Sequence, residues 1–181
     1  MSNEKNTVIV SFDESNHGAF PEIMVALISD YKRDLKEEDS KLSKYHPHSK
    51  DLAWSVLKSL GKRKYTFLQA EENDYKRLGT NIILGVSLTS LIYQDINFKK
   101  YNSLYLLVDG EWKEEKGLFL KQCISDNTII KKKDIFLKTG KNLDLRYKSV
   151  NMADRLAYAL FRYGGSPENM SKRLERRTFL E

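Results

Sequence analysis

The chain has one cysteine, three prolines and nine glycines in 181 residues. A lone Cys123 excludes a disulfide scaffold and any multi-cysteine zinc site, and it predicts a reducing compartment. No long hydrophobic run is present: the most apolar stretch, Ile82 to Tyr93, is far short of the roughly 20 residues a membrane helix needs. The opening Met1-Ser-Asn-Glu-Lys-Asn6 is polar and lacks the apolar core of a secretory signal. These absences predict a cytoplasmic protein with no membrane partner. What is present is a sizeable apolar fraction, 40%, with 11% aromatics, too much for a disordered chain even at 31% charged residues. The length suits one medium domain, expected over residues 1–165, with a polar basic helix or tail over 166–181. A net charge of +6 favours a polyanionic partner.

Periodicity places the elements. Thr7–Asp13 is β-branched and apolar, a buried strand ending in the turn formers Asp13 to Gly18. Phe20–Ser29 reads as a second strand, and the short connection predicts an antiparallel hairpin. Tyr31–Lys50 is charged and serine-rich, a loop with room for one short strand. Ser49 is an N-cap for a helix over Lys50–Leu60, with Leu52, Ala53, Val56, Leu57 and Leu60 on one face and Gly61 as its stop. Lys64–Ala70 reads as a strand, and a long helix is predicted from near Asp74 to Gln94. Ser103–Asp109 has five consecutive apolar residues before Asp109-Gly110, the pattern of a central parallel strand covered on both faces. Glu114–Ile124 is a predicted helix. Short β segments are expected at Thr128–Ile130 and Ile135–Leu137. Asn151–Tyr163 carries Ala153, Leu156, Ala157 and Leu160 at helical spacing before Gly164-Gly165, and a polar helix is predicted over Ser166–Arg177. A hairpin followed by alternating elements predicts an α/β mixed sheet flanked by helices.

Two of the most apolar strands end in aspartate, Asp13 and Asp109. If they are parallel neighbours, both carboxylates emerge at the C-terminal sheet edge, where open α/β sheets bind ligands. Glu14 follows Asp13 where the strand is expected to give way to a turn, so strict alternation need not send it to the opposite face. Asp154, one residue past Ala153, flanks the apolar stripe of its helix. Carboxylates gathered in this way repel one another, and hard oxygen-seeking cations such as Mg²⁺ or Mn²⁺ are the usual resolution. Each aspartate also has a plainer reading, Asp109-Gly110 as a turn and Asp154 as an anion near a helix start.

Taken together, these residues resemble the ribonuclease H-like superfamily of nucleases, type II ribonucleases H most of all. Val10 to Gly18, with Asp13-Glu14 at its centre, is similar to that family's opening strand and its Asp-Glu-Ala-Gly-Arg-Gly motif. Tyr75 to Ile82 resembles its Asn-Ile helix start, Leu104 to Gly110 its strand ending in Asp-Gly, and Met152-Ala-Asp154-Arg155 its late helix with an Arg-Asp pair. The resemblance runs in order from about residue 7 to 163. It implies a ribonuclease H-like mixed five-stranded sheet with helices packed on it, two-metal phosphodiester hydrolysis, and Asp13, Glu14, Asp109 and Asp154 as catalytic metal ligands for two Mg²⁺ or Mn²⁺ ions. The family's Gly-Arg-Gly, which reads a ribonucleotide 2′-hydroxyl, is Asn16-His17-Gly18 here. The segment before Asp154 lacks the family's small-residue run with its lysine.

Asn16, His17 and Gly18 are accordingly candidate substrate contacts. Trp112 either stacks on a base or sugar or packs against the core. Lys131, Lys132 and Lys133, with Lys138 and Lys141, form one basic stretch suited to phosphates, and Lys172, Arg173, Arg176 and Arg177 form another. His46-Pro47-His48 reads as a solvated loop, and Cys123 as a buried structural thiol. The expected function is a metal-dependent nuclease, with RNA in RNA/DNA hybrids, duplex DNA and structured DNA all open as substrates. The alternative is a nucleic-acid-binding module of the same fold with weak or lost catalysis. A protein-interaction domain is the third reading, and the oligomeric state is open.

Overall fold

The computed structural model describes residues 6–15, 20–44, 46–79, 83, 88–89, 92 and 96–164, together with the backbone of 173–178. Its strands are β1 (Thr7–Ser15), β2 (Glu22–Ser29), β3 (Lys64–Ala70), β4 (Ser103–Asp109), β5 (Ile135–Gly140) and β6 (Arg173–Thr178). Helices are α1 (Lys50–Trp54), α2 (Val56–Ser59), α3 (Glu72–Leu78), α4 (Glu114–Asn127) and α5 (Lys148–Tyr163). Five strands form the expected mixed sheet in the order β5-β4-β1-β2-β3, and β6 adds a sixth at the β3 edge. β1 to β3 make an antiparallel meander, while β4 runs parallel to β1 and β5 parallel to β4.

Strand alternation sorts the core into two layers. Val8, Val10, Phe12, Met24, Leu104, Leu106 and Val108 face one way, against Leu120 and Ile124 of α4 and the helical Ile83, Leu88 and Ile92. Val25, Leu27, Tyr65 and Phe67 face the other way, against Ala53, Trp54 and Val56 and against Ala153, Leu156, Ala157 and Leu160 of α5. A smaller cluster of Ile9, Leu107, Leu143, Tyr147 and Val150 continues this second layer. The start of α5 is fixed to β1 by a 2.7 Å hydrogen bond from Ser11 Oγ to Ser149 Oγ. Among the described residues no helix is long and apolar enough to cross a membrane.

Several expectations shift. The helix predicted over Lys50–Leu60 is broken at Ser55, whose hydroxyl bonds back to the Leu52 carbonyl at 2.6 Å. Ser49 caps it as expected, accepting from Leu52 N, but Leu52 itself is 51% exposed rather than on the buried face. The loop with room for a strand holds a 3-10 turn at Lys32–Leu35 instead. Its Asp34 is buried and paired with Arg63 through two hydrogen bonds of 2.8 and 2.6 Å. Thr128–Ile130 is not a strand, since Ile129 points to solvent and Ile130 alone enters the core. Over Arg173–Thr178 the predicted polar helix is replaced by β6, parallel to β3, where the edge of the sheet offers unpaired backbone groups. Asn81 and Ile82 lie outside the described residues.

Candidate active site at the carboxyl edge of the sheet

β1 and β4 run parallel with Phe12 opposite Val108, so Asp13 and Asp109 each stand one residue beyond the same rung. Gly110 then takes φ +102°, a conformation that side-chain-bearing residues rarely adopt, and makes a last bridge to Gly140, its amide donating to the Gly140 carbonyl at 3.1 Å. On Asp109, Oδ1 accepts a 2.5 Å hydrogen bond from the Leu143 amide, at the start of the 3-10 turn Leu143–Leu145.

The expectation for Glu14 is corrected here. β1 continues to Ser15 instead of turning at Asp13, because its last residues keep pairing with β2, Asp13 with Val25 and Glu14 with Met24. Val25 belongs to the α5 layer and Met24 to the α4 layer. Alternation therefore sends Asp13 toward α5 and Glu14 toward α4.

Asp13 is only 5% exposed. Burial pushes its carboxyl well above the ordinary range, and the negative charges of Glu14, Asp154 and Asp109 add to the shift, against a hydrogen bond from the Glu14 amide at 2.9 Å. Asp13, Asp109 and Asp154, drawn from β1, β4 and α5, thus share one corner of the molecule. Asp109 is also raised by burial and by the neighbouring Asp144, and held down by the Leu143 amide. Two basic side chains reach this corner from the loop before α1. Lys44 forms a 3.0 Å ion pair with the fully buried Asp144 and also feels Asp154 and Asp109. His46 Nε2 lies 3.1 Å from Asp154 Oδ2.

On the opposite face, burial and the charge of Glu22 raise Glu14 to about 7, while Lys116 works the other way. Glu22, 7% exposed, is itself raised to about 7 by burial. Sequence reasoning missed Glu22, Asp144 and Lys44, and it read His46 as solvated loop although it is bonded to Asp154. Only Glu22 carried a local signal, a carboxylate opening the apolar run Ile23–Ile28. The other three are joined to the site through tertiary contacts.

Asn16, His17 and Gly18 lie outside the described residues. Trp112 is half-buried against the α4-layer core, and Lys116 Nζ sits 4.0 Å from its ring centroid. Lys131, Lys132 and Lys133 are exposed, but they precede Ile135, which pairs with Leu104 at the start of β4. The length of β4 therefore separates them from Asp109, about 17 Å along the strand, and they do not join the carboxylates. Cys123 is partly exposed rather than buried, with its thiol raised by desolvation.

The donor set is of hard carboxylate oxygens, and the repulsion at Asp13 is the kind a divalent cation relieves. Among the described residues, though, no three His, Cys, Asp or Glu side chains converge into a ready metal cage. The hydrogen bonds described above engage one oxygen on each of Asp13, Asp109 and Asp154.

No family model matches the sequence, and no curated protein does. Solved structures do. Ribonuclease HII from Archaeoglobus fulgidus, in its complex with PCNA, superposes with a TM-score of 0.52 at 17% identity, over 89% of this chain and 80% of that one. Ribonuclease H2 from Pyrococcus horikoshii OT3 gives 0.52 at 14%, over 90% and 82%. A single-site variant of Bst ribonuclease HIII gives 0.51 at 13%, over 87% of this chain but 52% of that one. The chain therefore has the ribonuclease H-like fold in the form shared by ribonucleases HII and HIII.

Proposed function

We propose that this protein is a cytoplasmic, divalent-metal-dependent nuclease that hydrolyses phosphodiester bonds, with the RNA strand of RNA/DNA hybrids as the first substrate to test. The observation that carries this reading is that Asp13 is buried at the carboxyl edge of the sheet and carries the added charges of Asp109 and Asp154, which come from two other elements. Such repulsion is costly in a metal-free fold. The likeness in fold to ribonucleases HII and HIII supports hydrolysis of nucleic acid as the class of activity.

Asp13, Asp109 and Asp154 are the residues that would hold Mg²⁺ or Mn²⁺, and Glu14, next to Asp13 but on the other face, would act on them through its charge. Bound there, a pair of such ions supplies a water of lowered pKa and neutralises charge on the departing oxygen. The protein's own contribution is to fix its carboxylates. The Leu143 amide orients Asp109, the Glu14 amide orients Asp13, and burial excludes bulk water from Asp13. Exposed Lys131, Lys132, Lys133 and Lys141 are suited to remote phosphate contacts rather than to the reacting bond.

A binding module with little catalysis is the second reading, favoured by one observation: Glu14 faces the α4 layer, away from the three aspartates. One experiment separates the two. The protein is incubated with Mg²⁺ or Mn²⁺ and labelled RNA/DNA hybrid, DNA with one embedded ribonucleotide, single strands, plain duplex and a branched junction. Cleavage that disappears in Asp109→Asn supports the nuclease. Salt-sensitive binding without cleavage supports the module, and the absence of both rejects a nucleic-acid function.

A further inference from the structure

The loop between the Lys32–Leu35 turn and α1 is bound along its length to the opposite end of the chain. The Glu38 and Leu42 amides donate to the carbonyls of Arg146 and Leu145 at 2.8 and 2.9 Å. Asn151 Nδ2 donates to the Ser43 carbonyl at 3.2 Å. Both Tyr158 and Tyr163 hydroxyls donate to the Pro47 carbonyl, at 3.3 and 2.9 Å. His46 lies between these anchors, its ring stacked on Tyr158 with centroids 4.3 Å apart and planes 5° from parallel. Its Nε2 meets Asp154 Oδ2. Asn151, Asp154 and Tyr158 fall at i, i+3 and i+7, so a single stripe of α5 is given over to this loop.

We infer that His46 is a positioning residue for Asp154: stacked on Tyr158, it holds Oδ2 by a hydrogen bond and so sets the direction in which the other carboxylate oxygen faces the site. The inference rests on the metal-dependent reading above and adds to it a residue supplied by the loop before α1. A partner of this kind fixes a ligand's rotamer before the ion arrives, so less ordering is lost on binding. A loose histidine that merely competed with the ion would have to swing out, and the ring stack with the double anchor at Pro47 opposes that movement.

The test is Mn²⁺ binding to the full chain, followed by calorimetry and by the paramagnetic resonance of free Mn²⁺, for wild type, Asp154→Asn, His46→Ala and His46→Gln. Melting temperatures establish that each variant is folded. Wild type is expected to bind in an Asp154-dependent manner, His46→Ala to bind about tenfold more weakly, and His46→Gln, whose amide can still donate to Asp154, to recover most of the loss. Equal or tighter binding by His46→Ala overturns the positioning role while leaving the metal reading intact. So does a glutamine variant no better than alanine. Absence of Asp154-dependent binding in the wild type removes the metal reading, and this one with it.

Discussion

The two faces of the sheet meet at one edge and manage the same problem differently. On the α5 side, Asp109 is met by a backbone amide, Asp154 by His46, and the adjoining Asp144 by Lys44. On the α4 side, Glu14 and Glu22 are buried close together, with Lys116 the cation that lowers Glu14, and both titrate near 7. The first face meets three of its carboxylates with a donor or cation, while its Asp13 is raised by burial and by its acidic neighbours. The second keeps carboxylates that hold their protons up to about pH 7, which is the environment of a group waiting for a cation or for a proton.

The sharpest way to break this comparison is to remove charge from the first face. Asp109→Asn keeps an oxygen for the Leu143 amide, so the fold is expected to survive while hydrolysis of the best substrate falls by at least about a thousandfold. Wild-type rates in that variant, measured on labelled hybrid in Mg²⁺ and Mn²⁺, would end the nuclease reading.

On the second face the two glutamates are expected to part company. Glu14→Gln should lower turnover by roughly ten- to a hundredfold, whereas Glu22→Gln should leave the rate nearly unchanged and raise the melting temperature above pH 7. Equal kinetic losses in both variants would make Glu22 part of the site rather than a neighbour of it.

Stability in the metal-free protein should carry the signature of these raised carboxyls. Between an ordinary 4.5 and about 7, the folded protein retains protons on Glu14 and Glu22 that the unfolded chain has released. Their contribution is therefore complete below pH 4.5 and is lost as pH rises through 7. Urea midpoints of the metal-free chain should fall over that window, and Glu22→Gln should flatten the slope. A rising midpoint would show that Glu14 and Glu22 do not govern stability in that window.

The smallest effect is expected far from both faces. Replacing Lys131, Lys132 and Lys133 by alanine should weaken nucleic-acid binding by a few fold and lessen its salt dependence, with turnover at saturation unchanged, because these residues sit at the opposite end of β4. A large loss of turnover would mean that the substrate path runs along the sheet rather than across its edge.

Much of the scaffold was readable in the chain. Unbroken apolar runs at Val8–Phe12 and Leu104–Val108 have no alternative to burial, and their parallel pairing follows once a helical crossover separates them. That Asp13 and Asp109 stand at one sheet edge, with Asp154 near them, was legible because each terminates or borders an apolar run. Glu14 was misread by two residues: the end of β1 depends on continued pairing with β2, and a boundary of that kind leaves little trace in local composition. Arg173–Thr178 was misread for a related reason. Its arginines and leucine suit a polar helix as well as an edge strand, and only the open backbone edge of β3 decides between them.

By itself, then, the sequence determined which segments must be covered and which carboxylates stand at their ends, since alternation and apolar run length are properties of neighbours in the chain. The tertiary structure alone decided what each carboxylate meets. His46 reaches Asp154 across 108 positions, and Arg63 reaches Asp34 across 29. Lys44 finds Asp144 across 100 positions. Charges interact through space and fall off with distance between atoms rather than separation along the chain, so the environment that tunes these groups exists only once the sheet, α5 and the loop laid against it have come together.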